Sequence, residues 1–261
     1  MCAVLVKLGG SVITDKATYR RFDQRSMERL AKEIACASHE VFLVHGAGSY
    51  GHLLAAEHRL HEGYQERTQL EGLSRVHMDV RELNLMVMRC LNNAGVSAVS
   101  LPPGAMGLMK NGELVRMDIE MFRLYHDLGL LPVTFGDVML DMERGFGICS
   151  GDQLMFILAK EFRPKRVIFC ADVDGVFTSD PALDRDAKLL ETIDRSTLEK
   201  IPRTSRVTDV TGSIYAKLEF MLRLADLGLE TLVINGRVPG RLEAAIKGEK
   251  VKGSVVLGGS R

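Results

Sequence analysis

Short apolar runs rich in β-branched residues alternate with segments of helical period along this chain, and no other feature constrains the fold as much. The runs lie at residues 3–8, 41–44, 96–100, 131–135, 167–171 and 231–234. Helical periodicity covers residues 70–94, 153–162 and 214–227, and a further helix starts near Asp23 or Ser26. Strands that alternate with helices pair in parallel and carry helices on both faces. We therefore predict an α/β fold, an open α/β/α sandwich with a mainly parallel central sheet.

The size and charge of the chain limit the classes of protein to which it can belong. Of its 261 residues, 46% are hydrophobic and 26% are charged, which predicts a single domain over residues 1–261 with a sizeable core. The 34 basic and 34 acidic residues balance, without a long run of one sign. This balance argues against a nucleic-acid partner, because such binding needs a broad basic surface. An anionic ligand must instead be held by a local cluster of cations.

The cysteines and the hydropathy pattern indicate the compartment. Five cysteines stand far apart, and no pair has the spacing of a zinc or redox site. This pattern favours free thiols in a reducing compartment. No stretch approaches the roughly 20 apolar residues that a membrane-spanning helix needs. We expect a cytoplasmic protein with no membrane partner.

Glycine-rich segments follow predicted strands or precede predicted helices at six places. The segments are Gly9-Gly10-Ser11, His45-Gly46-Ala47-Gly48-Ser49-Tyr50-Gly51-His52, Gly136-Asp137, Ser150-Gly151-Asp152, Asp172-Val173-Asp174-Gly175 and Asp209-Val210-Thr211-Gly212. Glycine lets the backbone approach a ligand, and N–H groups at such turns bind phosphate oxygens. A single glycine turn is common, but six predict an extended phosphate cradle where parallel strands end. None of them matches the Walker A or Rossmann pattern.

Three lysines stand beside these segments. Lys7 ends the first buried run, Lys16 lies just beyond the first loop, and Lys217 falls in the first turns of the helix after Gly212. Phosphoryl transfer between two anions needs cations, because negative charge builds on the transferring group. Most lysines are simply solvated, and that alternative stays open for Lys16 and Lys217. A solvated side chain is the weakest interpretation for Lys7, because a lysine in a buried run needs an anionic partner.

Carboxylates and histidines complete the candidate set. Asp152 either orients the ammonium groups of Lys7 and Lys217 or caps its own helix. Asp172 and Asp174 either contact the nucleotide or its magnesium water, or shape their turn. His52 can donate a hydrogen bond to an acceptor phosphate. Histidines near such loops are more often structural, and His45 suits that role.

The chain resembles the amino acid kinase family over essentially its whole length, with the motifs in the same order. The resemblance is carried by the segment from Lys7 to Thr14, with Lys16 beyond it, and by four further motifs: His45 to His52, Ser150 to Leu154, Asp172 to Val176 and Asp209 to Gly212. The histidine-bearing motif is most similar to that of the isopentenyl phosphate kinases, although fosfomycin kinases share a similar histidine. One departure is Ser213, where family members commonly have a second glycine.

The resemblance implies direct in-line transfer from ATP, with its magnesium, to isopentenyl phosphate, as in an alternative mevalonate pathway of isoprenoid biosynthesis, by a homodimer. It places the acceptor in about residues 1–140 and the nucleotide in about residues 141–261. The implied catalytic residues are Lys7, Lys16, His52, Asp152 and Lys217. The implied ATP-binding residues are Lys7, Gly9, Gly10, Ser11, Gly48, Asp172, Asp174, Gly175, Gly212 and Lys217. The implied acceptor-binding residues are Gly46, Ala47, His52 and Gly151, and no residue is assigned as a metal ligand.

Other functions remain compatible with these residues. A kinase of the same fold could act on fosfomycin, another phosphonate or a small carboxylate. A non-catalytic nucleotide-binding module is a third reading, against which Lys7, Asp152 and Lys217 together argue. An isoprenoid tail needs an apolar slot. The helix at 70–94 offers apolar residues that either line such a slot or belong to the core, namely Leu73, Val76, Val80, Leu83 and Met86.

Overall fold

The computed structural model describes residues 3–37, 40–179, 181, 183–194, 196–197 and 214–258, with side chains in the last range from residue 218. Over these residues the main sheet contains eight strands in the order β10-β12-β11-β9-β1-β2-β6-β3. All neighbours in this sheet are parallel except β11 and β12. The predicted sandwich with a mainly parallel sheet is confirmed. The strands are β1 (Val4–Leu8), β2 (Val41–His45), β3 (Ala98–Ser100), β4 (Gly107–Lys110), β5 (Glu113–Met117), β6 (Leu131–Phe135), β7 (Asp137–Asp141), β8 (Gly145–Cys149), β9 (Arg166–Ala171), β10 (Thr192–Ile193), β11 (Thr231–Asn235) and β12 (Gly253–Val256).

Helices cover both faces of the main sheet and bury separate clusters of apolar side chains. On one face, side chains of α6, α7 and α8 pack with Leu5 of β1. On the other face, α2, α4 and α9 pack with Val4, Val6 and Leu8 of the same strand. Successive side chains of a strand point to opposite faces, so a strand covered on both faces is mostly apolar. The helices are α1 (Gly10–Ile13), α2 (Gln24–Ala37), α3 (Gly48–Glu57), α4 (Gln69–Asn93), α5 (Pro103–Met106), α6 (Ile119–Asp127), α7 (Gly151–Phe162), α8 (Ile214–Asp226) and α9 (Arg241–Lys247).

A second sheet, in the order β5-β4-β7-β8, stands beside the first. Its strands β7 and β8 form an antiparallel hairpin, in which Asp137 pairs with Cys149 and Asp141 pairs with Gly145. A third apolar cluster lies between this hairpin, α3 and α4. In the described ranges, no helix combines the length and the apolar character that crossing a membrane would require.

The bounds predicted from the apolar runs and from the helical segments agree with those of the observed strands and helices to within two residues. Helix α2 begins after Asp23, whose carboxylate accepts a hydrogen bond of 3.1 Å from the N–H of Ser26.

The sequence pattern did not indicate β4 and β5. These strands are half-exposed and carry lysine, glutamate and arginine. An alternation interrupted by charge gives too weak a period-2 signal to be separated from a loop.

Candidate active site

The loops predicted to bind phosphate leave neighbouring strands at one edge of the main sheet. The first residue after each of three strands continues the ladder by donating its backbone N–H to the next strand. These bonds run from Gly9 to the carbonyl of Cys170 (2.9 Å), from Gly46 to that of Leu8 (2.9 Å) and from Gly136 to that of His45 (3.0 Å). The carboxyl ends of β9, β1, β2 and β6 therefore lie side by side.

Strand β1 marks the point where the order of strands reverses. The chain proceeds from β1 to β2, β3 and β6 on one side, and later adds β9, β11 and β12 on the other. In open α/β sheets, ligands bind at the carboxyl ends of the strands beside such a point. Lys7 lies on β1 immediately before this edge.

A buried ion pair stands at the reversal point. The ammonium group of Lys7 lies 2.5 Å from a carboxylate oxygen of Asp152. The two residues are only 5% and 8% exposed. The Lys7 ammonium also stands 5.8 Å from the centre of the Phe169 ring. Two charges withdrawn from water persist only when each has a partner, so Asp152 holds Lys7 in one position.

The N-terminus of α7 packs directly on this lysine. The Ser150 side chain caps α7 by accepting the N–H of Gln153 at 3.3 Å. A Cβ atom added to Gly151 would lie 3.0 Å from Cε of Lys7. Glycine at this position therefore lets the positive end of the helix dipole and the ammonium group share one small region.

The first two glycine loops touch each other through their backbones. A Cβ atom on Gly10 would lie 2.5 Å from both N and Cα of Gly48. Gly48 itself has φ of +51°, in the left-handed region that favours glycine. Thr14 joins the two loops, because its hydroxyl donates to the Gly10 carbonyl at 2.7 Å and accepts the Ser49 N–H at 3.1 Å.

Backbone amides of three loops lie close together next to the ion pair. A Cβ atom on Gly46 would lie 2.6 Å from the amide nitrogen of Gly10. The position of a Cβ atom on Gly136 would be 3.4 Å from the amide nitrogen of Gly151 and 3.7 Å from that of Ala47. A cluster of amides around a fixed ammonium group is a site for an anion with several oxygens. We call this arrangement the cradle, and its binding of phosphate stays a prediction.

A second lysine–aspartate pair flanks the cradle on the β9 side. The ammonium group of Lys16 lies 3.4 Å from the Asp172 carboxylate, and the two side chains are 57% and 30% exposed. Burial raises the pKa of Asp172, but Lys16 and a hydrogen bond from Ser11 outweigh it and hold that pKa below its ordinary value.

Asp174 is engaged by cations from the C-terminal part of the chain. Its carboxylate lies 2.6 Å from both Arg241 and Lys252, and 3.3 Å from the Asn235 amide nitrogen. Hydrogen bonds from Lys252, Arg241 and Asn235 lower the pKa of Asp174 to about 2. In this structure the carboxylate of Asp174 connects the turn after β9 to α9, to β11 and to the residue before β12.

The two histidines of the second loop have different environments. His45 is fully buried, and its ring donates to the Gly46 carbonyl at 3.0 Å and accepts from the Asn84 side chain at 3.1 Å. Burial lowers the pKa of His45 to about 4, so the ring is neutral near pH 7. His52 is exposed on α3, one turn and about 6 Å along the axis from Gly48. His45 therefore has the predicted structural role.

The third apolar cluster adjoins the N-terminal part of α3. Its buried members are Leu54, Leu60, Val76, Val80, Phe135, Val138 and Phe146. Of the residues predicted for an apolar slot, Val76 and Val80 belong to this cluster, and Leu73 packs against it. Leu83 and Met86 pack instead under the main sheet, so the core alternative holds for them.

Comparison with known proteins identifies the family of this chain. Residues 3–235 match the model of the amino acid kinase family. This chain belongs to the amino acid kinase family. It is 39% identical to the isopentenyl phosphate kinase of Methanothermobacter thermautotrophicus, covering 98% of this chain and 99% of that one. It is 35% identical to the isopentenyl phosphate kinase of Thermoplasma acidophilum, with coverage of 92% and 94%.

Solved structures share the fold over nearly the whole chain. A solved isopentenyl phosphate kinase superimposes with a TM-score of 0.86 at 36% identity, covering 97% of this chain and 99% of that one. A substrate complex of isopentenyl phosphate kinase gives 0.82 at 32% identity and the same coverage. The UMP kinase of Ureaplasma parvum, at a TM-score of 0.69 and 18% identity over 98% of each chain, shares the fold alone.

The structure brings most of the predicted site residues of this family member together, but not all of them can be placed. The segment Asp209-Val210-Thr211-Gly212 and the departure at Ser213 lie outside the described residues, as does the side chain of Lys217. Gly175 lies against β12, where a Cβ atom would be 2.4 Å from the Ser254 hydroxyl. Its role in nucleotide binding stays a prediction.

Sequence reasoning missed two residues at the edge of the cradle. Ser49, in the first turn of α3, is 2% exposed, and its hydroxyl oxygen has no hydrogen-bond partner among the described residues. Arg237, after β11, donates to the Ser11 carbonyl at 2.9 Å. The missed signal for Arg237 was Gly236, the first residue after β11. Its N–H donates to the Ala171 carbonyl at 2.9 Å, in the same way as the N–H groups of Gly9, Gly46 and Gly136 continue the ladder.

Proposed function

We propose that this chain is an ATP-dependent kinase that converts isopentenyl phosphate to isopentenyl diphosphate. The observation that carries the proposal is the buried Lys7–Asp152 pair, set among backbone amides of three loops and close to an apolar cluster. Full-length similarity to isopentenyl phosphate kinases supports this choice of acceptor.

The reaction is a direct transfer between two anions. A phosphate oxygen of the acceptor attacks the γ-phosphorus of ATP while the bond from that phosphorus to the β-γ bridging oxygen breaks, and ADP leaves. Negative charge spreads over the transferring group and the bridging oxygen. Lys7 and the amides of Gly10, Ala47 and Gly151 meet this charge with donors that are already oriented, so little reorganisation is needed during the reaction.

The acceptor side of the site combines a polar and an apolar part. His52 and the N-terminus of α3, with the buried Ser49 hydroxyl, hold the acceptor phosphate. The isoprenoid tail lies against the apolar cluster of α3, α4 and the β7–β8 hairpin. An amino-acid acceptor would need charged partners for its ammonium and carboxylate groups. Beside this cluster, Arg81 lies 5.9 Å from the centre of the Phe135 ring but is already paired with Asp137 at 2.9 Å.

The nucleotide side is built from the other half of the chain. Residues from about 141 to 261 contact ATP through Asp172 and through Gly175, Gly212 and Lys217, while Gly9, Gly10, Ser11 and Lys16 reach over from the first loop. The acceptor side lies mainly within residues from about 1 to 140, where Gly46, Ala47 and His52 contact the acceptor. Lys16 and Lys217 brace the nucleotide phosphates, and Asp174 shapes the loop beneath them.

Magnesium enters with ATP in this proposal. Among the described residues, no group of three or more carboxylate, histidine or cysteine side chains could hold a metal ion. Asp152 and Asp172 are each paired with a lysine. The residues present therefore suit an ion held mainly by phosphate oxygens, as magnesium usually is in kinases. When bound, the ion supplies positive charge at the β- and γ-oxygens.

The proposal also includes the oligomeric state and the cellular compartment of the protein. The resemblance to the family implies a homodimer, which light scattering coupled to size exclusion tests directly. Four cysteines in the described part of the chain are free thiols, namely Cys36, Cys90, Cys149 and Cys170. Free thiols suit the reducing cytoplasm.

A coupled ADP-release assay with Mg-ATP tests the function. We expect turnover with isopentenyl phosphate, and much lower kcat/KM with fosfomycin, other phosphonates or small carboxylates. A higher kcat/KM with one of those acceptors would reassign the substrate. ATP binding without turnover of any acceptor would indicate a non-catalytic module.

His52→Ala tests the acceptor assignment. Removing an imidazole that donates to the acceptor phosphate should lower kcat/KM for isopentenyl phosphate about 100-fold and change the KM for ATP little. His52→Asn, which keeps a side-chain N–H donor, should retain more activity. His61→Ala, at an exposed histidine of the same region, serves as the control. Unchanged kinetics of His52→Ala at low and saturating isopentenyl phosphate would remove His52 from the site.

A further inference from the structure

The loop that carries Lys16 is closed on itself. Thr14 and Phe22 form an antiparallel bridge at its base. Asp15 donates its backbone N–H to the Arg21 carbonyl at 2.9 Å, and its side chain accepts the N–H of Ala17 at 3.0 Å. These contacts fix the shape of the loop, but they do not by themselves fix its position over the cradle.

Contacts from the tip of the loop to α4 supply that position. The Tyr19 hydroxyl donates to one carboxylate oxygen of Asp79 at 2.5 Å. The Arg20 guanidinium lies 3.5 Å from the other oxygen of Asp79 and forms a hydrogen bond with Glu82. The backbone N–H of Arg20 also reaches the Ser49 carbonyl at 3.4 Å. Two consecutive loop residues are therefore bound to one helix.

Asp79 has features of a specific anchor rather than of a surface ion pair. Its side chain is fully buried, although Tyr19 is 39% exposed. A buried carboxylate is retained only with partners. In the described structure Tyr19 is the hydrogen-bond partner of Asp79, and Arg20 is its ion-pair partner. Arg20 has φ of +55°, a left-handed conformation that costs energy for a residue other than glycine. The contacts with α4 maintain that strained backbone.

The same stretch of α4 lines the acceptor side. Val76 and Val80 stand three residues before and one residue after Asp79, and both belong to the apolar cluster next to α3. The stretch of α4 from Val76 to Val80 therefore contacts both the proposed acceptor region and the Lys16 loop. Lys16 in turn is paired with Asp172, at the end of β9.

We propose that Asp79 is a positioning residue that holds the Lys16 loop over the nucleotide phosphates and links this loop to the acceptor side of the site. The inference rests on the proposed function and extends it to a residue that touches neither substrate. Loss of this anchor should release Lys16 from the nucleotide while Lys7 and Asp152 stay in place.

Asp79→Asn is the direct test, and Glu71→Gln is its control because it removes one carboxylate charge from an exposed position of the same helix. We expect Asp79→Asn to raise the KM for ATP about tenfold, with kcat changed less, as follows from weakening a charged hydrogen bond. Glu71→Gln should behave as the wild type. Tyr19→Phe removes only the loop's hydroxyl, so it tests the same contact without changing a buried charge.

A double-mutant cycle separates positioning from general damage to the fold. If Asp79 acts through Lys16, then adding Asp79→Asn to Lys16→Ala should raise the KM for ATP little further. If the two effects multiply instead, Asp79 does not act through Lys16 and the inference fails.

Limited proteolysis tests, independently of catalysis, whether Asp79 holds the Lys16 loop in place. Trypsin cleaves after lysine and arginine, and the loop contains Lys16, Arg20 and Arg21. We expect a non-hydrolysable ATP analogue to protect these bonds in the wild type, and both Asp79→Asn and Tyr19→Phe to be cut several-fold faster. Equal cleavage of the three proteins would overturn the inference. The proteolysis uses no acceptor, so its result does not depend on whether isopentenyl phosphate is the substrate. Failure of the inference about Asp79 can therefore be distinguished from failure of the proposed function.

Discussion

Two lysine–aspartate pairs stand at the same edge of the sheet, and they differ in almost every physical respect. Lys7 and Asp152 approach to 2.5 Å, with side chains only 6% and 12% exposed. Lys16 and Asp172 are 3.4 Å apart, with side chains 57% and 30% exposed. Lys7 is on a central strand and Asp152 is in the first turn of a helix, whereas Lys16 is on a loop.

From this difference we expect the two lysines to have different roles. A lysine fixed by a buried carboxylate is oriented before the substrate arrives, which suits stabilisation of the transition state. A lysine on a loop, in a weak surface pair, can leave its carboxylate and follow the nucleotide phosphates. We therefore expect substitutions in the buried pair to act on kcat and on stability, and substitutions in the exposed pair to act mainly on ATP binding.

Lys7→Met should have the largest effect. Removing a preoriented donor to the transferring group should lower kcat about 1000-fold. It should also lower the free energy of unfolding by about 3 kcal/mol, because Asp152 stays buried without its partner. Steady-state kinetics and urea denaturation measure the two effects, and Lys247→Met, in an exposed pair with Glu243, is the control.

Adding Asp152→Asn to Lys7→Met separates stability from catalysis. The double variant has no unpaired charge, so most of the lost stability should return while activity stays low. Recovery of activity along with stability would show that Lys7 is only a structural residue.

Lys16→Ala should have an intermediate effect that is confined to the nucleotide. We expect the KM for ATP to rise about tenfold, the KM for isopentenyl phosphate to change little, and the free energy of unfolding to change by less than about 1 kcal/mol, since exposed ion pairs contribute little. Kinetics with each substrate varied in turn, together with urea denaturation, measure these quantities. A fall in kcat as large as that of Lys7→Met would contradict the proposed division.

The pH dependence of the exposed pair should be the smallest effect. The pKa of Asp172 is below its ordinary value of 3.8 in the folded protein. The contribution of this carboxylate to stability is therefore fully present above about pH 4 and is lost as the pH falls through the lower folded-state pKa.

Urea denaturation of the wild type and Asp172→Asn between pH 2.5 and 7 measures that contribution. The difference between them should be below about 1 kcal/mol at pH 7 and should shrink under pH 4. In Lys16→Ala the pKa of Asp172, followed by carbon NMR, should move up toward its ordinary value. An unchanged pKa in that variant would show that the pair does not form in solution.

Much of the fold could be predicted because its strands are covered on both faces. Such strands are nearly continuous apolar runs, as at β1 and β6, and such runs can be recognised in the sequence without knowing the neighbouring strands. The half-exposed strands β4 and β5 lack that signal. The register of the sheet, in which Lys7 stands beside Phe169 of β9, is equally absent from the local pattern.

The sequence by itself determined the family, the glycine loops and the lysines that had to be explained, because these depend on local composition and on motif order. Only the tertiary structure decided that Asp152 belongs to Lys7, that Asp174 binds Arg241 and Lys252, and that Asp79 anchors a loop 60 residues away. The physical reason is that partners of buried charges are chosen by contacts between distant segments, and these contacts exist only after strands and helices have packed.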